Sequence, residues 1–137
     1  MSFASSAAVR SRMQAQRARD TAPELALRRL LHARGLRYRV DYAPLPGLRR
    51  RADVVFTRAR VAVFVDGCFW HSCPEHGNRP RANPSWWAAK LTRTSVRDAD
   101  FDQQLAVAGW LVVRAWEHED VGAVARRVAV AVQARSA

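Results

Sequence analysis

Two short apolar runs, Ala52-Asp53-Val54-Val55-Phe56 and Val61-Ala62-Val63-Phe64-Val65, stand back to back with only Thr57 to Arg60 between them. A pair of strand-length apolar runs joined by a short basic turn reads as a β-hairpin, and the rest of the chain must be arranged around it. Upstream, Asp20-Thr21-Ala22-Pro23-Glu24 carries a capping box, with Glu24 three residues after Thr21 and Pro23 in the first turn. Leu25, Leu27, Leu30 and Leu31 then supply an apolar stripe at roughly helical spacing, and Gly35 is a natural stop. The alternation Leu36, Tyr38, Val40, Tyr42 predicts a further strand, broken by Pro44, Pro46 and Gly47. Downstream of a loop at Cys68 to Pro84 the pattern predicts a long helix over Ser85 to Ala108, a buried strand over Trp110 to Trp116 and a closing helix over Val121 to Ala134. Helix, three strands, helix, strand, helix is an α/β order, and 137 residues suit one domain.

The charge of the chain points to its partner class. Lys and Arg total 23 against 12 acids, a formal net charge of +11, and Lys90 is the sole lysine. An excess of this kind favours a polyanion, of which nucleic acid is the commonest. A genome that prefers arginine explains Arg over Lys but not bases over acids. No apolar run reaches the roughly 18 residues of a membrane span, which predicts a soluble protein. Residues 1–19 hold Arg10, Arg12, Arg17 and Arg19 without an acid, and read as a basic, flexible arm for DNA ahead of a single domain over 20–137.

The densest chemistry is the run Cys68-Phe69-Trp70-His71-Ser72-Cys73-Pro74-Glu75-His76, which contains both cysteines and two of the four histidines. Two cysteines this close do not make a secreted disulfide framework, whereas thiolate and imidazole are the donors of tetrahedral Zn²⁺. Cys68, His71, Cys73 and His76 would fill such a site and leave none for catalysis. If the last strand lies beside the hairpin, His118 returns to this loop, completes Cys68, Cys73, His76 and His118, and releases His71. His32, on the first helix, reads as a surface residue.

Asp53 at the start of an apolar strand is costly unless paired or bound to a cation. Asp66 ends the neighbouring strand and Glu24 opens the first helix, so three carboxylates can gather round a hard cation such as Mg²⁺. Glu24 also serves as a cap partner, and Asp66 also suits a turn before Gly67. A metal between carboxylates and a phosphodiester, with a neutral histidine such as His71 to take a proton, describes a metal-dependent nuclease. Trp110 and Trp116 read as core. Phe69, Trp70 and the Trp86-Trp87 pair either pack over the zinc site or wedge into a base stack.

Together Asp20-Thr21-x-x-Glu24, Leu45-Pro46-Gly47, Asp53, Asp66-Gly67-Cys68-Phe69-Trp70-His71, Cys73-Pro74-Glu75-His76-Gly77 and Trp116-Glu117-His118 resemble the very short patch repair endonucleases, in order from about Met13 to His118. The resemblance implies a restriction-endonuclease-like fold, with a central mixed sheet flanked by helices and a structural zinc site. It implies a bacterial cytoplasmic enzyme that acts on the nucleoid; no coiled coil or large exposed apolar face in the sequence suggests an obligate dimer, so a monomer is expected. With Mg²⁺, such an enzyme nicks one strand of double-stranded DNA 5′ to the thymine of a T·G mismatch left by deamination of 5-methylcytosine. By the same resemblance Asp53 and the main-chain carbonyl of Val65 bind Mg²⁺, His71 transfers a proton, and Glu24 assists. Asp66 either binds metal or orients His71. Zn²⁺ falls to Cys68, Cys73, His76 and His118, and Phe69, Trp70 and Trp87 enter the duplex. Arg19, Arg49, Arg50, Arg51 and Lys90 are the expected DNA contacts. Relative to the family, Leu48-Arg49-Arg50-Arg51-Ala52 is longer and more basic, which either adds phosphate contacts or displaces Asp53. Two other readings remain: a nuclease of a restriction–modification system or mobile element with another target, and an inactive zinc-stapled DNA-binding module.

Overall fold

The computed structural model describes residues 21–67 and 84–136, apart from the side chains of Pro84 and Trp87. Helix α1 spans Ala22–Ala33 and starts where the capping box predicts. The Glu24 carboxylate turns back to accept hydrogen bonds from the Thr21 N–H at 3.3 Å and the Thr21 hydroxyl at 2.9 Å. At the other end Gly35 takes φ +84°, a left-handed conformation that glycine adopts without steric cost. The Leu36 N–H then bonds the Leu31 carbonyl and turns the chain toward the sheet.

Among the described residues the sheet has four strands, β1 (Arg39–Tyr42), β2 (Ala52–Phe56), β3 (Val61–Asp66) and β4 (Leu111–Trp116), in that spatial order. The hairpin forms as predicted: β2 and β3 are antiparallel, with Val54 opposite Val63 and Phe56 opposite Val61. β1 adds antiparallel to β2. β4 pairs parallel to β3, from Val61↔Leu111 to Asp66↔Trp116. Parallel neighbours need a long crossover, here containing α2 (Pro84–Val107), and α3 (Val121–Ser136) closes the chain.

Side-chain alternation on the strands sorts the core into two layers. On one face Val54, Phe56, Val61, Val63, Val113 and Ala115 meet Leu27 and Leu31 of α1 and Val124, Val128 and Val132 of α3. On the other, Val55, Ala62 and Phe64 meet Phe101 and Leu105 of α2. β3 is thus covered on both sides, and each large side chain sealed there contributes about 1.5–3 kcal/mol. The result is a mixed sheet flanked by helices, consistent with a restriction-endonuclease-like fold.

Three expectations need correction. Of the α1 leucines only Leu27 and Leu31 are buried, while Leu25 and Leu30 are exposed, because the helix offers the sheet a narrower stripe than the leucine pattern suggests. The first predicted strand shrinks to four exposed or half-buried residues, interrupted by Asp41 at φ +47°. β4 is not wholly buried: it ends the sheet of described strands, and only Val113 and Ala115 are sealed. Trp110 and Trp116 beside it are half-buried rather than core. Among the described residues, no helix is long and apolar enough to cross a membrane.

Candidate functional site

Because β2 runs against β3 and β4 runs with it, the start of β2 and the ends of β3 and β4 share one end of the sheet. Asp53 lies there, and its Oδ2 accepts a 2.7 Å hydrogen bond from the main-chain N–H of Val65. Burial pushes its carboxyl up to about 7; the Val65 bond opposes this, Glu24 and Asp66 push the same way, and Arg114 opposes. Glu24 and Asp66 are themselves buried, at 4% and 8% exposure. Both of the other predicted carboxylates therefore fall within electrostatic reach of Asp53.

They do not form one ligand cage. Among the described residues no group of three His, Cys, Asp or Glu side chains is placed to hold a metal ion. Two of the three are already engaged. Glu24 caps α1 through Thr21 and lies 3.7 Å from Arg28. Asp66 accepts a 2.8 Å bond from Arg114 Nη1. Asp53 is the carboxylate left with excess negative charge around it. A half-buried oxygen donor in that setting suits a hard dication whose remaining positions go to water and phosphate oxygens, the habit of Mg²⁺. Val65, whose carbonyl is the other expected Mg²⁺ donor, is fixed beside it by the Val65–Asp53 bond.

Arg114 carries no motif and was missed by the sequence reading. Its Nε and Nη2 fork onto Asp102 of α2 at 2.8–3.0 Å, and its guanidinium stacks 4.0 Å from the Phe64 ring centroid. Burial disfavours its charge, but Asp102, Asp66 and Asp98 outweigh that and hold it more firmly protonated than usual. The partners lie 12 and 48 residues away in sequence, so only the parallel β3–β4 register discloses them.

The expected DNA contacts divide. Arg49 is exposed. Arg50 instead lies over Phe101 at 4.8 Å and bonds the Arg97 carbonyl and Asp98 of α2. Arg51 bonds the carbonyl and carboxylate of Asp41. The longer basic stretch before Asp53 is thus fastened to α2 on one side and β1 on the other, and β2 pairs in register. Lys90 is half-exposed on α2, near the exposed Trp86. His32 is exposed, as expected. His118 is exposed two residues beyond the Asp66↔Trp116 pair, where the Glu117 N–H bonds the Asp66 carbonyl. Arg19, Cys68, Phe69, Trp70, His71, Cys73, His76 and the side chain of Trp87 lie outside the described residues.

A half-buried aspartate with a raised carboxyl pKa thus stands at the sheet end of a strongly basic α/β chain. Comparison with known proteins places it more closely. The family described as DNA mismatch endonuclease Vsr matches residues 4–76. The type II nicking enzyme V.NaeI of Lentzea aerocolonigenes is 50% identical over 111 residues, covering 80% of this chain and 67% of that protein. The type II nicking enzyme V.XorIIP of Xanthomonas oryzae is 38% identical over 122 residues, 85% of each chain. The DNA mismatch endonuclease Vsr of Escherichia coli K12 is 37% identical over 106 residues, 77% of this chain and 66% of that one. The chain belongs to the Vsr family and is a DNA endonuclease.

Proposed function

We propose that this protein nicks one strand of duplex DNA 5′ to the thymine of a T·G mismatch, with Mg²⁺ held by Asp53 and the Val65 carbonyl. The observation that carries this reading is Asp53 itself, half-buried near two further carboxylates and bonded to Val65. Bound there, Mg²⁺ supplies positive charge for the developing phosphorane and acidifies water. The protein's own part is positional. Asp53 releases its proton on binding the cation, and the Val65 N–H keeps the carboxylate aimed. His71, unligated, takes the proton of the attacking water. Glu24, which caps the start of α1 through Thr21, assists from the helix end. Cys68, Cys73, His76 and His118 hold a structural Zn²⁺, a reading supported by the place of His118 beyond the β3–β4 pairing. Arg19, Arg49 and Lys90 contact phosphate or base edges, and Phe69, Trp70 and Trp87 enter the base stack. The enzyme works as a monomer in the cytoplasm.

The relatives named type II nicking enzymes favour a second reading of the target alone: the same nick in the service of a restriction–modification system. A nicking assay on matched and T·G duplexes decides. Wild type is expected to nick the mismatched strand only with Mg²⁺, Asp53→Ala to be inactive and His71→Ala to be strongly slowed. No Mg²⁺-dependent cleavage by wild type would overturn the proposal, and equal cutting of matched DNA would move the target to the second reading.

A further inference from the structure

We propose that Arg114 is a positioning residue of the nicking centre: it pins Asp66 at the end of β3 to Asp102 of α2, so that the active strand end and α2 move as one body. The proposal rests on the reaction argued above. Its geometry is independent of that reaction. Phe64 and Arg114 are register partners in the parallel pair, and Asp66 lies one alternation further along the same face. One guanidinium therefore spans β3 at 2.8 Å and forks onto α2 at 2.8–3.0 Å, with its flat face on Phe64. Asp98, a helical turn before Asp102, lies 3.9 Å from Arg114 and 3.4 Å from Arg50. The chain of contacts Arg50–Asp98–Arg114–Asp66 thus joins the segment that leads into β2, the helix and the end of β3.

Two physical points favour a role beyond stability. A planar, bidentate guanidinium fixes angle as well as distance, which a lysine ammonium does not. Asp66 directly follows Val65, whose N–H holds Asp53, so a shift of this strand end moves the reacting geometry. Misplacement by about 1 Å costs on the order of 10²-fold in rate. α2 also carries Lys90 and the exposed Trp86, so DNA bound along it is mechanically tied to the cleaving strand.

The test compares Arg114→Met, Arg114→Lys and the double variant Asp102→Asn/Arg114→Met by single-turnover nicking, DNA affinity and thermal melting. Arg114→Met is expected to lose about 10²-fold in kcat with KM for duplex within about twofold. Arg114→Lys should recover part of that loss. The double variant removes the guanidinium together with the α2 carboxylate it forks onto, so its Tm should return toward wild type while its kcat stays low. If kcat recovers together with Tm in the double variant, Arg114 is only a structural prop and the proposal falls. If Arg114→Met nicks at the wild-type rate, the proposal falls while the nicking reaction stands. A wild type that does not nick removes the reaction and the positioning role with it.

Discussion

Asp53→Asn should make the protein more stable while destroying its activity, and the gain should grow with pH. The native carboxyl titrates at about 7 against an ordinary 3.8. Between those values the folded protein keeps a proton that the unfolded chain has released, so wild-type stability falls as pH rises through the window. Above it the full cost of an ionised Asp53 is present, about 3 pK shifts of 1.36 kcal/mol each, or roughly 4 kcal/mol. Asparagine avoids that cost and still accepts the Val65 N–H. At roughly 3–6 °C per kcal/mol for a domain of this size, the variant should melt about 10 °C or more above wild type at pH 8.5 and near it at pH 4.5. The assay is thermal melting from pH 4.5 to 8.5 in zinc-loaded buffer without Mg²⁺, where other titrations cancel in the difference. Adding Mg²⁺ should raise the wild-type Tm at high pH and leave the variant unmoved. A Tm difference that stays flat across this range would refute the argument that Asp53 is held in an unfavourable ionised state.

His71→Ala should slow nicking by about 10²–10⁴-fold with DNA affinity little changed, measured by single-turnover cleavage and filter binding. Cys68→Ala and His118→Ala should each lose bound zinc and lower Tm, and stoichiometric zinc by elemental analysis in both would reject the ligand set. Arg49→Ala should weaken binding to matched and mismatched duplex alike and reduce the salt slope by about 1, whereas Arg50→Ala should cost about 1–2 kcal/mol of stability instead.

What the sequence disclosed follows from the range of the forces involved. The Thr21–Glu24 box, the Gly35 stop and the β2–β3 hairpin are encoded within a few residues, and they form where expected. The leucines of α1 could be placed on a helix but not on a face, since α3 and the sheet decide which of them is covered. Asp53 stood out because a charge in an apolar run has few harmless explanations. Arg114 did not, since one arginine among many acquires meaning only when β4 is set parallel to β3. The basic stretch Arg49 to Arg51 looked uniform in sequence, yet Arg49 is exposed, Arg50 is fastened to α2 and Arg51 to Asp41.

Many of the arginines do masonry rather than recognition. Arg37, Arg50, Arg51, Arg60, Arg127 and Arg135 all donate to main-chain carbonyls, several of them at turns or between elements. The formal charge therefore overstates how many phosphates the surface can engage, and salt titrations should return a count well below it. It also makes the alphabet of bases asymmetric for this chain. A recoded protein with lysine at every arginine would carry the same net charge and be drawn to DNA from the same distance. Without the flat forks that tie loop to helix and strand to strand, it would arrive there loosened.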